Sequence, residues 1–138
     1  MTRREQRNTV MQLLFENDFR REDTPETVYA RAKETREFPE EDYVRDLFFN
    51  ITKRLDVYEK ILDTYAANWS ASRISKISRA AMFISIYEMV FREDIPVKVS
   101  INEAVEIVKT YDEEKAAPFV NGILNTVKDH LDDVKTLF

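Results

Sequence analysis

The chain has 138 residues, 43% of them hydrophobic, no cysteine, and neither an apolar run long enough to span a bilayer nor a signal-peptide pattern. It therefore reads as one cytoplasmic domain with room for a core, without disulfides or thiolate metal sites. One glycine and four prolines leave little material for hairpin turns or phosphate-cradling loops, which points to an all-α domain. A net charge of −5 disfavours phosphate binding when taken as a sum, but residues 1–7 hold Arg3, Arg4 and Arg7 against Glu5 alone, whereas residues 37–42 hold four acids.

Seven helices are predicted, without repeats or an interdomain linker. The first covers residues 2–19, with Val10, Met11, Leu14 and Phe15 facing inward. Its leading turn is basic, although the helix dipole already places partial positive charge there. Two readings follow, an ordinary solvated terminus or a turn awaiting an anion. Thr24 and Pro25 form a cap and a first-turn proline, opening a helix over residues 25–34. Glu40 to Asp42 suit the start of a third helix. From there Val44, Phe48, Ile51, Leu55, Tyr58, Leu62, Tyr65 and Trp69 form one stripe at spacings of three and four. Asp56 and Glu59 have capping-box spacing, so the stretch divides into helices at 40–55 and 56–68.

Residues 80–91, AAMFISIYEMVF, are apolar nearly all round, which marks a helix enclosed by its neighbours and starting near Ser75 or Lys76. Ser100 and Glu103 have capping-box spacing, placing the next helix start at about Ile101. It presents Ile101, Ala104, Val105 and Val108 to the core. Pro118 suits a first helical turn, so a last helix starts at Ala117 or Pro118 and carries Val120, Ile123, Leu124, Val127 and Leu131 inward. Gly122 lies inside it at a cost of about 1 kcal/mol relative to alanine. A close backbone approach, by a neighbouring helix or by a ligand, is the expected reason. The tail, residues 132–138, is expected to fray.

The inventory for catalysis is thin. His130 is the only histidine and sits among charged residues, and a zinc site needs more ligands than one imidazole. The acid runs at 40–42 and 112–114 are consecutive, so their side chains diverge. A single glycine rules out a glycine-rich nucleotide loop. No cofactor or metal is expected. Binding has better support. The arginines can pair with phosphates, the helix start at Pro118 offers amides to an anion, and Phe119 is either a core residue or a stacking platform for a base. Lys115 adds charge near the same edge.

The order INEAVEIVKTY, a short polar loop and PFVNGIL resembles the C-terminal signature of the NusB family of bacterial transcription antitermination factors. The likeness extends through Asn68-Trp69-Ser70, Arg79, Tyr87-Glu88 and Val97-Lys98-Val99 to the first arginines. It implies one domain of two packed bundles, at about residues 1–69 and 70–138. It also implies binding of boxA RNA in ribosomal RNA transcripts jointly with NusE, a small-subunit ribosomal protein, in an antitermination complex on RNA polymerase. By the same resemblance Arg3, Arg4, Arg7, Lys115 and Phe119 contact RNA, with Lys98 and Asn121 behind them, and NusE docks near Ser78 and Arg79. A homodimer covering the arginines is a further arrangement that the family suggests.

The chain departs from the usual pattern at Glu5, which interrupts the arginines and implies a weaker RNA edge. Further departures are Ser78 in place of an acid, Met82-Phe83 in place of Leu-Arg, and Asn125 in place of Asp. Two other readings stand beside antitermination. One is a helical adaptor that binds only proteins. The other is an accessory domain of an RNA methyltransferase, disfavoured because no cofactor loop or cysteine nucleophile is present.

Overall fold

Helix α1 (Arg3–Phe19) begins on a capping box that ties its basic turn into a defined shape. The Glu5 amide donates to the Thr2 hydroxyl at 3.1 Å, and the Thr2 amide donates to the Glu5 carboxylate at 3.4 Å. Glu5 thus starts the helix and offsets the dipole that the arginines oppose. The computed structural model describes residues 1–66 and 74–138, and among these the secondary structure is helical, with eight α-helices and one 3₁₀ turn. Phe15, expected inside, is only half-buried and meets Phe19 edge to face, while Leu13 is the fully enclosed residue.

Thr24 caps α2 (Pro25–Arg36) as expected, accepting from the Thr27 amide at 3.2 Å. The helix runs on two residues further than predicted and ends at Glu37, whose φ of 50° lies in the left-handed region. Helix α3 (Asp42–Lys53) starts later than expected, with Glu40 held outside it on Tyr29 and Lys33 of α2 while also meeting Arg45 of α3. Helix α4 (Leu55–Tyr65) is separate from α3, but not through Asp56 and Glu59. Arg54 makes the break with a non-helical backbone (φ −128°, ψ 34°), donating its amide to Ile51 and accepting from Val57, while its guanidinium reaches the carbonyl of Leu137. Trp69 and the predicted end of this helix lie outside the described residues.

Ser75 caps α5 (Lys76–Phe91) by accepting from the Ser78 amide at 3.0 Å. The helix is buried on nearly every face, as its composition requires, and α1, α3, α6 and α7 pack around it. Helix α6 (Val97–Tyr111) starts four residues before the predicted Ile101. Pro96 supplies the extended residue ahead of it, and Ser100 is buried within the helix, paired with the Ser85 hydroxyl at 3.0 Å. The expected capping box is therefore an inter-helix clasp.

A 3₁₀ turn (Glu114–Ala116) leads into α7 (Ala117–Asp129), which starts where Pro118 placed it. The short link makes α6 and α7 an antiparallel hairpin. The tail does not fray. Helix α8 (Leu131–Lys135) buries Val134 completely, and Phe138 packs edge-on against Tyr58 and Phe91. One hydrophobic cluster runs through the described residues, and α1 packs against both α3 and α5.

Candidate nucleic-acid interface

The three arginines of α1 have three different environments, set by the helical turn. Arg7 points inward and is 4% exposed. Its guanidinium donates to Glu88 of α5 at 2.9 Å, and the Tyr43 hydroxyl donates to the same carboxylate. Burial works against charge on Arg7, but Glu88 outweighs it and raises the guanidinium pKa. Burial, then the charge of Glu88, pushes the Tyr43 hydroxyl far above its ordinary range, so it stays a donor. Arg7 is thus removed from the RNA edge assigned to it: it neutralises a fully buried acid. Glu88 could have been suspected from the sequence, since a carboxylate amid AAMFISIYEMVF needs a cationic partner.

Arg4 and Arg3 remain at the surface. Arg4 grips Glu103 of α6 in two parallel contacts of 3.1 and 3.0 Å, and that hydrogen bond is the chief reason its pKa is raised. Arg3 lies 4.2 Å above the ring of Tyr43, and Arg92 approaches the same ring at 5.7 Å. Arg92 also holds Asp94 in a paired contact of 2.9 and 2.8 Å, which pulls the Asp94 carboxyl down to about 2. The basic edge is therefore interleaved with acids. A phosphate there must displace Glu103 from Arg4 or bind alongside it.

The start of α7 is a poorer anion site than its proline suggested. The 3₁₀ turn uses the Ala117 amide for the Glu114 carbonyl, Pro118 has no amide, and Glu113 and Glu114 stand just ahead. Lys115 is 83% exposed and contacts Glu113 at 3.3 Å. Phe119 is half-buried and packs on the core, which combines both predicted roles without excluding either.

The more open surface lies between α6 and α7. A groove of about 350 Å³ is lined by Lys98, Ile101 and Asn102 on one wall and Asn121, Asn125 and Lys128 on the other. It joins Lys98 and Asn121, which the sequence proposed separately, and adds Asn102, Asn125 and Lys128, which it did not. Asn102 recurs one helical turn after Lys98, and Asn125 one turn after Asn121, so the i, i+4 spacing was the available signal.

Gly122 lies beside this groove, and a Cβ there would meet nothing within 4 Å. No neighbouring helix explains it, which overturns the expected close packing and leaves an exposed stretch of helix backbone. Lys98 lies near the start of α6 and Lys115 at the far end of the hairpin, so the polar residues spread along most of a helix about 22 Å long. Such a layout suits an extended strand better than a compact small molecule.

Ser78 and Arg79, expected at a protein contact, are both engaged within the chain. Ser78 is 1% exposed and donates to Asp112 at 2.7 Å, alongside Ser75. It is therefore a brace between α5 and the end of α6, not an open docking residue. Arg79 is partly exposed and pairs with Glu59 at 3.2 Å, in a chain of charges that continues through Arg21, Asp18 and Lys76. Phe19, 61% exposed, lies under Lys76 at the same place. His130 ends α7 and stacks against Tyr65 at 5.0 Å.

The NusB family model matches residues 4–129. The chain belongs to the NusB family. Transcription antitermination protein NusB of Bacillus pumilus is 36% identical over 131 residues, covering 95% of this chain and 98% of that protein. The solved structure of NusB from T. maritima is 30% identical, with a TM-score of 0.75 over 99% of this chain and 92% of that one. The same fold recurs, at 22% identity and a TM-score of 0.75 over the whole of both chains, in a crystal structure of antitermination factors NusB and NusE in complex with dsRNA. The NusB match runs from Arg4 to the end of α7, so Arg4, the Glu88 pair and the α6–α7 groove all lie within it.

Proposed function

We propose that this protein is a cytoplasmic, non-catalytic transcription antitermination factor that binds boxA-type RNA together with NusE and supports processive elongation by RNA polymerase. The observation that carries the RNA-binding part is the α6–α7 groove. Two lysines and three asparagines face it, bare backbone is exposed at Gly122, and the surface arginines lie on the other flank of α6. Asparagine amides offer donors and acceptors to base edges, and the cations serve the phosphates. Family membership supports the rest, since curated relatives of matching length are antitermination proteins and a protein of the same fold occurs with NusE and RNA.

Arg3 and Arg4 serve as phosphate contacts, with Lys98, Lys128 and Lys115 along the strand and Phe119 at its far end. NusE meets the exposed face around Phe19, Lys76 and Arg79. Titration of labelled leader RNA with this protein, with NusE and with both tests the proposal. The pair should shift the RNA at lower concentration than either alone, with log affinity falling against log salt at a slope of about −2 to −3 for three or four phosphates. An RNA shift that does not depend on this chain would leave a protein-only adaptor.

A further inference from the structure

A second groove, of about 480 Å³, opens on another side of the molecule where the end of α3, the start of α4, the end of α5 and the C-terminal tail meet. Its walls are aromatic: Tyr87 meets Phe91 at 5.0 Å, Phe91 meets Phe138 at 5.2 Å, and Phe138 meets Tyr58 at 5.2 Å. Phe91 is 48% exposed, unusual for a phenylalanine in the line of a central helix. Lys53, Arg54 and Lys135 also line the groove. Among the described residues none of the three lies within ion-pairing distance of an acidic side chain, although most other cations of this acidic protein do.

The groove also holds unanswered hydrogen-bonding groups. Tyr58 is 1% exposed, yet its hydroxyl has no hydrogen-bond partner among the described residues, and neither has that of Tyr87. Among the described residues every fully buried side-chain polar atom is paired, so these hydroxyls open onto the groove they line. Burial raises the Tyr58 pKa, which keeps it a donor. Asn50 adds an amide on the same wall. Burial, then the charge of Asp46, raises the Tyr87 pKa, and Arg92 opposes them. Arg92 in turn faces the Tyr43 ring on which Arg3 lies. Arg92 thus lies near both Tyr87 of this groove and the arginine turn.

We propose that this groove is a second nucleotide-binding subsite. An unpaired base stacks among Tyr87, Phe91 and Phe138, its edge meets the free hydroxyls and Asn50, and the flanking phosphates rest on Lys53, Arg54 and Lys135. Flat rings alternating with cations are the arrangement by which single-stranded nucleic acid is held without strict sequence preference. An acidic peptide would satisfy the cations but leave most of the ring surface without a stacking partner. The inference rests on the RNA-binding reading above and extends the transcript's path beyond the boxA-type element.

The test compares two labelled single-stranded RNAs by fluorescence anisotropy on the full chain, one limited to the boxA-type element and one extended at its ends. The extended RNA should bind wild type more tightly. Phe91→Ala should remove about tenfold in affinity for it, and Lys53→Glu with Lys135→Glu should flatten its salt slope by about 1.4. Neither change should affect the short RNA, and circular dichroism melts should confirm that these surface variants fold. Unaltered binding of the extended RNA by the groove variants would overturn the subsite while leaving the boxA reading intact. Loss of neither RNA on replacing Arg3 and Arg4 would instead strike at the boxA reading. Perturbation of the Tyr58 and Tyr87 resonances by an oligoglutamate peptide and not by RNA would make the groove a protein-docking surface and end the proposal.

Discussion

The first turn of α1 and the groove between α6 and α7 present opposite faces of one problem. In the sequence the α1 turn carries the densest positive charge, yet Arg7 is buried against Glu88 and Arg4 is held by Glu103. The α6–α7 groove carries fewer charges and looks plain in the sequence, yet Lys98 and Asn102 are exposed and unpaired there and no side chain covers Gly122. Charge counted along a chain is not charge available to a ligand. What matters is the work of separating each cation from its present partner, which is large for a desolvated pair and small at the surface.

The comparison breaks most sharply at Arg7. Arg7→Ala strands Glu88 in the core and should cost about 3–5 kcal/mol, measured by urea denaturation. Arg7→Met combined with Glu88→Leu should restore much of that loss, since paired removal avoids the unpaired charge. A destabilisation near zero for Arg7→Ala would mean that Arg7 is free after all. Tyr43→Phe removes the other donor to Glu88 and should cost about 1–3 kcal/mol.

The exposed arginines should behave in the reverse way. Replacing Arg3 and Arg4 together by alanine should leave the denaturation midpoint nearly unchanged and flatten the salt dependence of RNA affinity by about 1.4. Glu103→Gln should strengthen RNA binding, because it frees Arg4 without touching a core contact. Weaker binding by Glu103→Gln would show that the pair acts as a unit.

Gly122→Ala sharpens the groove side. The added methyl meets open space, so helix propensity alone should stabilise the fold by about 0.5–1 kcal/mol. RNA affinity should fall if a strand approaches that backbone, and gel-shift titration reads it directly. Unchanged affinity would place the strand elsewhere along the hairpin.

The smallest effect concerns acid stability. Burial disfavours charge on Asp112, but the hydroxyls of Ser75 and Ser78 and the Glu113 amide outweigh it and hold its carboxyl below the ordinary range. The folded pKa is thus lower than the unfolded one, so this contribution is complete at neutral pH and is lost as pH falls from about 4 through the folded value. Asp112→Asn should flatten the stability profile in that window, followed by the urea midpoint at successive pH values.

Helix class, the Thr24 cap, the starts of α5 and α7 and the enclosure of α5 were legible in the residues, because each rests on local backbone chemistry or on a pattern within one turn or two. The capping box expected at Ser100 and Glu103 failed for an instructive reason. Its spacing was right, but Ser100 found Ser85 and Glu103 found Arg4, partners 15 and 99 residues away. Glu5, which the sequence presents only as an acid among the arginines, forms a capping box with Thr2. The tail was expected to fray, since nothing local shows that Phe138 reaches Tyr58 and Phe91.

By itself the sequence determined that this is an all-helical NusB-type chain, where most helices begin, and that cations cluster at one terminus. Only the tertiary structure decided which of those cations a ligand can reach. Reach depends on partners brought from distant positions, as Glu88 is to Arg7 and Glu103 to Arg4, and on which stretches of helix, such as that at Gly122, are left uncovered when the core closes. Periodicity records the face a side chain takes on its own helix, while the electrostatic work of exposing it is fixed by what packs across from that face.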